Sequence, residues 1–551
     1  MFRTDNGIPI KGVHLDCRAQ MMRFESIMTI IDDLERWGFN TILLEYCDRF
    51  PFEGPLSKVN APDAFTKEQI RAIIAKAQSY GIKIIPLVQC LGHMYWLLRL
   101  EDFAHYGEGY ERADKENSPI SHGFQVADSV ICPSHPKISE LYREIFGQVL
   151  KLHAGCRYFH IGGDEALLDA ECPRCQPQLN EEGKGMVLTH HYLNVAKWIR
   201  SQGPEPIIWG DMILTYPESL DILRGHVTVM DWDYSSTLEP SPDYRLWGIA
   251  ADCVHKPETW SALQKEILQP YVYAYAPYLI KPFPFTKLLR DYGFPVIVAP
   301  AARSSGDSFV VPMDVHIKNT IAAACVARKY HTLGMVITSW ALRRAPWPLT
   351  EYALITGGCL LNRPQMSQDE IDLYFAREHF GTEDAVYAQI PPMLGKACAD
   401  AIKAADIFSS RTYSFKKSTG QFLARQFSDR EFEHVKNSPD AFNSAYTLLK
   451  EAANKARALL EKLNPADDRH KERVAFWRWA CDIIEYFADV APQMLIEKGS
   501  RDKKSLASLR QKAAALQKET DHLLRPIYTD WTMESENQIR FQVHMEYLEL
   551  I

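Results

Sequence analysis

Between residue 8 and about residue 362, short apolar runs alternate with longer stretches whose apolar positions recur every three or four residues, the signature of repeated β-α units. Eight runs predict strands: IKGVHLD (10–16), TILLEY (41–46), KIIPLVQ (83–89), YFHIGGDE (158–165), PIIWGDM (206–212), VTVMDWDY (227–234), PVIVAPA (295–301) and GMVITSW (334–340). Amphipathic stretches such as FESIMTIIDDLERWG, TKEQIRAIIAKAQSYG and MVLTHHYLNVAKWIRSQG lie between most of them, several ending in the glycine that caps a helix. Nearly continuous apolar strands suit a parallel sheet covered on both faces. Eight of them with crossover helices predict an α/β architecture, a closed (β/α)8 TIM barrel. A doubly wound open sheet is the alternative, because spacing alone does not report closure.

After about residue 365 the strand pattern stops. AFNSAYTLLKEAANKARALLEKL, RVAFWRWACDIIEYFADVAPQML and SLASLRQKAAALQKETDHLL carry apolar residues at helical spacing against charged opposite faces. The chain therefore reads as a barrel over 1–364 and a C-terminal all-α domain over 365–551. Residues 235–294, rich in Pro, Tyr and Trp, are too long for a simple βα connection and read as an insertion near one barrel face.

Composition narrows the function classes. Hydrophobic residues at 46% and charged residues at 24% of 551 are globular values. A net charge of -8 without a basic block disfavours nucleic acid and anionic membranes as partners. The start, MFRTDNGIPIKG, has no apolar core after a basic segment, and no run of 18 apolar residues occurs, so neither secretion nor membrane insertion is expected. Twelve scattered cysteines suit reduced buried thiols, and the expected location is the cytoplasm.

In a parallel barrel the reactive groups collect at the C-terminal ends of the strands. Strand one ends in Asp16 and Arg18, strand two in Glu45 and Asp48, strand three in Gln89 and His93, strand four in Asp164 and Glu165. Strands five, six and eight end in WGD (Trp209 to Asp211), DWDY (Trp232 and Tyr234) and SW (Trp340). Adjacent strand residues point to opposite faces, but Gly162 and Gly163 let the chain bend so that both acids face one pocket. Repulsion and an apolar wall then raise one carboxyl while the other stays ionised, the division of labour of glycoside hydrolysis. The usual two-carboxylate scheme sets the acids about 5 Å or more apart across the scissile bond. Neighbouring acids fit a variant better, in which a 2-acetamido group on the substrate attacks its own anomeric carbon. The enzyme then supplies an acid at the leaving oxygen and an anion at the acetamido nitrogen, and tryptophans line a slot for the methyl.

At these residues the chain resembles the β-N-acetylhexosaminidases of glycoside hydrolase family 20, most closely the hexosaminidase D type. HIGGDE matches the family's His-x-Gly-Gly-Asp-Glu motif, and LLEYCDRFPFEGPL, IIPLVQCLGHM, IIWGDM and ITSW resemble its other strand-end motifs in order, over roughly residues 10–345. The resemblance implies an exo-acting, retaining enzyme acting on glycans or glycoconjugates with terminal β-linked GlcNAc or GalNAc through an oxazolinium intermediate. It implies no metal or organic cofactor. Glu165 would be the general acid/base and Asp164 the clamp on the acetamido group, with His93 near Glu165 and Asp48 as the partner of His93. Trp209, Trp232 and Trp340 would form the acetamido pocket and Tyr234 would bind its oxygen, with Tyr273, Tyr275 and Tyr278 as alternatives. Arg18, Glu45 and Asp211 complete the substrate-binding candidates.

Two departures bear on specificity. LDCRAQ is one residue shorter than the family's Asp-x-x-Arg-His and lacks the His, and Leu342 stands where a Glu is common, so Glu45 is expected to share recognition of the outer hydroxyls. Two alternatives compete: a non-catalytic amino-sugar-binding module, and a family 20 enzyme for a disaccharide-releasing or sulfated-sugar reaction. A homodimer is compatible with either. Cys172 and Cys175 in ECPRCQ supply two of the four donors a structural zinc wants, and Cys156, His190 and His191 offer no second half. Paired free thiols are the expectation there.

Overall fold

In the computed structural model, every barrel run condenses into a strand, and the edges move by a few residues. The strands are β1 (Ile10–Asp16), β2 (Thr41–Glu45), β3 (Lys83–Leu87), β4 (Tyr158–His160), β5 (Glu205–Trp209), β6 (Thr228–Trp232), β7 (Val296–Ala299) and β8 (Gly334–Ser339). Each pairs in parallel with the next, and β8 pairs back onto β1 from Ile10 opposite Gly334 to Val13 opposite Ile337. The ring is closed, which excludes the open doubly wound sheet. β1, β2, β7 and β8 are buried at every position, as a covered parallel sheet requires. The structure describes residues 7–534 except 19, 115–116, 122–123, 276–278, 305–306, 308–309, 342–344, 405–412, 417–420, 425–436 and 497–499.

Helices α1 (Phe24–Arg36), α2 (Lys67–Ser79), α3 (Ile138–Leu152) and α4 (Gln176–Ser201) follow the first four strands. α2 begins with a full capping box: Thr66 accepts from the Gln69 N–H at 3.1 Å, and Gln69 accepts from the Thr66 N–H at 2.9 Å. The insertion contains short helices and a small antiparallel pair, Tyr273–Tyr275 with Leu279–Ile280.

The chain groups into two compact units, one formed by 1–18, 28–300 and 321–338, the other by 19–27, 301–320 and 339–551. This division differs from the boundary expected at 364/365. The reason lies within the second unit, where segments distant in sequence are tied to the C-terminal helices. Met22 bridges Tyr528 in antiparallel fashion, and the Arg23 guanidinium donates to Asp530 at 2.6 Å. Helix α5 (Glu351–Asn362) carries Glu351, fully buried, which receives two N–H donors from Arg473 at 2.7 and 2.9 Å. Later helices α6 (Pro439–Leu460), α7 (Asp468–Met494) and α8 (Lys503–Leu524) make the C-terminal region mostly helical, but not all-α as expected, because Tyr413–Lys416 and Gln421–Ala424 pair there as antiparallel strands. On α6, Phe442, Tyr446, Leu449, Ala453, Ala456 and Leu460 are buried at helical spacing. Among the described residues, no helix is long and apolar enough to cross a membrane.

Glu351 belongs to a buried chain of donors and acceptors. His379 Nδ1 lies 2.8 Å from Glu351 Oε2, and the Trp477 indole donates to His379 Nε2 at 2.8 Å. An Nε2 that accepts requires the neutral imidazole with its proton on Nδ1, directed at Glu351. Burial would raise the Glu351 carboxyl, but Arg473, with help from His379, holds it down at about 2. Burial lowers His379 to about 4. Both shifts mean that the unfolded chain binds more protons, so stability falls on acidification. The His379 contribution fades from about 6.5 to about 4 and that of Glu351 from about 4.5 to about 2. Arg473→Met, which strands a buried carboxylate, is expected to cost about 3–5 kcal/mol, read as a lowered thermal midpoint. It should also flatten the acid limb of the midpoint's pH dependence.

Candidate active site

Strand β4 stops at His160 rather than running to Glu165, because the next residues leave extended geometry. Gly162 and Gly163 have φ of 65° and 89°. A Cβ on Gly163 would lie 2.8 Å from the Tyr192 ring, and one on Gly162 would collide with the Gln89 side chain. The turn is pinned on both sides: the Gly163 N–H donates to Gln89 Oε1 at 3.2 Å and its carbonyl accepts the Tyr192 hydroxyl at 2.7 Å. Glu165 and His93 also take left-handed conformations, with φ of 51° and 58°. For residues with a Cβ this costs roughly 1–2 kcal/mol each, a strain that tends to collect at functional sites.

The two strained residues meet across the mouth. His93 Nε2 lies 3.2 Å from Asp164 Oδ2 and 3.4 Å from Glu165 Oε2. Burial alone would depress the imidazolium, but the carboxylates, Asp164 foremost, raise it to about 10, so His93 is a cation at neutral pH. The carboxylates differ in surroundings. The Asp164 side chain is 8% exposed and that of Glu165 is 22% exposed. Asp164 Oδ1 is buried and has no hydrogen-bond partner among the described residues.

Asp211 ties this turn to the aromatic wall. It accepts the Glu165 N–H at 2.8 Å and the Trp232 indole N–H at 3.3 Å. Burial, reinforced by the charge of Asp164, lifts its carboxyl to about 7. Trp232 stacks with Tyr234 at 4.9 Å between centroids and packs on Trp247 at 4.2 Å. Trp209 is buried against the His160 ring at 4.6 Å. Tyr234 lies on Trp232, whereas the Tyr273 hydroxyl is taken by the Val254 carbonyl and Tyr275 is 72% exposed. Tyr278 and Leu342 lie outside the described residues. Trp340 follows β8 directly and falls in the second compact unit.

Three expectations need correction. Asp48 does not partner His93; its oxygens are held by Arg49 at 2.8 Å and Arg99 at 2.9 Å, so its charge is already met. Glu45 is not an open ligand for sugar hydroxyls. It is fully buried and faces His14 at 3.0 Å, Gln89 at 3.2 Å and Arg18 at 3.3 Å. Arg18, 3% exposed, is locked between Glu45 and Asp16, whose Oδ1 accepts its Nε–H at 2.9 Å. Glu45 and Arg18 therefore support the strand ends from beneath. Tyr192, His14 and Trp247 went unread in the sequence. Tyr192 and His14 lie in ordinary helix and strand patterns, and Trp247 lies inside the insertion.

Asp211→Ala deprives the Glu165 N–H of its acceptor and is expected to cost about 1–3 kcal/mol. Asp211→Asn keeps one acceptor oxygen and should lose less, and thermal unfolding followed by near-ultraviolet circular dichroism compares the two.

Residues 9–241 match the family model described as glycosyl hydrolase family 20, catalytic domain. Hexosaminidase D of Homo sapiens is 29% identical over 260 residues, 45% of this chain and 50% of that protein. Hexosaminidase D of Bos taurus is 31% identical over 236 residues, 41% of this chain and 63% of that protein. The chain thus spans about half to under two-thirds of these relatives. Among solved structures, the family 20 exo-β-N-acetylglucosaminidase of Vibrio harveyi aligns with a TM-score of 0.46 at 16% identity, over 70% of this chain and 58% of that one. Over residues 9–241, this chain is similar to the catalytic domain of glycosyl hydrolase family 20.

Proposed function

We propose that the chain is an exo-acting, retaining β-N-acetylhexosaminidase that removes terminal β-linked GlcNAc or GalNAc by substrate-assisted catalysis. The observation that carries this reading is the unequal pair at the mouth. Asp164 keeps one buried oxygen without a partner among the described residues, while the neighbouring Glu165 is partly open to solvent. A buried acceptor costs free energy unless a ligand supplies a donor, and an acetamido N–H is such a donor.

In the first step Glu165 donates its proton to the glycosidic oxygen as the C1–O bond breaks, and the bonding pair leaves with the aglycone. The acetamido carbonyl oxygen bonds to C1, and Asp164 accepts the N–H of the resulting oxazolinium. Water then attacks C1, gives its proton to Glu165 and reopens the ring with retention. His93 offsets the negative charge of the acid pair and orients it. Trp209, Trp232 and Tyr234 are assigned to the acetamido slot. None of the twelve cysteines is in a disulfide, which supports work in a reducing compartment such as the cytoplasm.

Glu165→Gln is expected to lower kcat/KM about 10²–10⁴-fold on a β-N-acetylglucosaminide or galactosaminide. The loss should be steeper for a sugar leaving group than for 4-nitrophenolate, which needs little protonation. Asp164→Asn should cost about 10²–10³-fold, by analogy with the loss of one group stabilising transition-state charge. A wild-type rate in Glu165→Gln, or a covalent sugar ester on the protein, would overturn the assignment. Aryl glycosides of GlcNAc, GalNAc, glucose and galactose together read the requirement for the acetamido group.

A further inference from the structure

Outside the mouth, the first compact unit contains a second concentration of chemistry. Glu108, Cys132, Cys172 and Cys175 are all buried, and their ligand atoms lie within 4.8 Å of one another. Cys132 Sγ is 3.5 Å from Cys175 Sγ and 3.9 Å from Cys172 Sγ, and Cys175 Sγ is 3.2 Å from Glu108 Oε2. A tetrahedral zinc with Zn–S near 2.3 Å spaces its sulfurs about 3.8 Å apart. The observed separations match that spacing and are too long for a disulfide.

We propose that these four side chains form a closed structural site for a thiophilic divalent cation, zinc by ligand class. Three soft sulfurs and one carboxylate suit zinc, and a full protein donor set leaves no open position for substrate. The buried carboxylate is the second observation pointing to a ligand. Glu108 is fully buried, and its Oε1 has no partner among the described residues. A carboxylate set among thiols in an apolar interior is costly unless a cation joins it.

The surroundings favour thiolates. Cys175 stands at the N-cap of α4, where the helix N-terminus stabilises negative charge. The adjoining loops are clamped by Arg112, which donates to Asp169 at 2.8 Å, while the Cys172 N–H donates to the Asp169 carbonyl at 3.1 Å.

The site's position gives it a role. Glu108 and Cys132 lie on the connection after β3, which also carries His93, and Cys172 and Cys175 lie on the connection after β4, which carries Asp164 and Glu165. The Ile131 N–H, next to Cys132, donates to the Leu91 carbonyl at 3.0 Å, two residues before His93. A bound cation would therefore staple together the two loops that carry the strained acid and imidazole.

The test is the metal content of the full chain, purified under reducing conditions without chelator and equilibrated with zinc sulfate. About one zinc per chain is expected by plasma mass spectrometry. Cobalt replacement should give near-ultraviolet thiolate charge-transfer absorption and visible bands of tetrahedral intensity. Cys132→Ser and Cys172→Ser should lose most of the zinc, whereas the exposed Cys325→Ser should keep it. A wild-type chain that retains no zinc, or one in which mass spectrometry finds a Cys132–Cys175 disulfide, overturns the proposal. The wild-type measurements stand even where a variant fails to fold. They are independent of turnover, so failure here leaves the reading of the mouth intact.

Discussion

The mouth of the barrel depends on one electrostatic contact, the His93 imidazolium set against Asp164 and Glu165 at 3.2 and 3.4 Å. Two acids on consecutive residues repel, and bringing them to one side of a turn requires φ values that side chains resist. The structure meets both costs at the same place. The cation offsets the charge, and hydrogen bonds donated to Gln89 and Asp211 and accepted from Tyr192 hold the turn in a conformation it would otherwise leave.

Around that contact the polar residues form layers with different tasks. The deepest, Asp16, Arg18, His14 and Glu45, satisfy one another and are sealed from solvent. Such a buried network is rigid because each member would be left with an unmet charge or dipole if it moved. Above it sit the strained acid, its histidine and Asp211, whose two accepted hydrogen bonds link the acid turn to Trp232. Under the proposed function, specificity for an acetamido sugar arises where one buried oxygen of Asp164 has no donor among the described residues.

The thiol and carboxylate cluster extends the same logic to the two loops. A turn built from left-handed residues needs support from both chain segments that meet in it, and the hydrogen bonds of Gln89 and Tyr192 hold only the turn itself. A four-donor cation site between the connections after β3 and β4 would supply the other constraint with no part in the chemistry. This accounts for a fully buried glutamate whose partners among the described residues are thiols rather than an arginine or lysine.

The eight strands, their order and their parallel arrangement were legible in the chain, because apolar runs of strand length and the amphipathic stretches between them are local, one-dimensional signals. The glycine pair at 162 and 163 and the reactive groups at strand ends were legible for the same reason. Pairings were not. Asp48 reads as a partner for His93 until Arg99 folds against it, and Glu45 reads as an open ligand until His14 and Gln89 close over it. Cys172 and Cys175 look like half a site because Glu108 and Cys132 lie dozens of residues upstream. Sequence alone thus determined which chemical groups stand at the strand ends. Only the tertiary structure decided which charge meets which, since the contacts that neutralise a buried group join loops whose separation along the chain carries no trace of their distance in space.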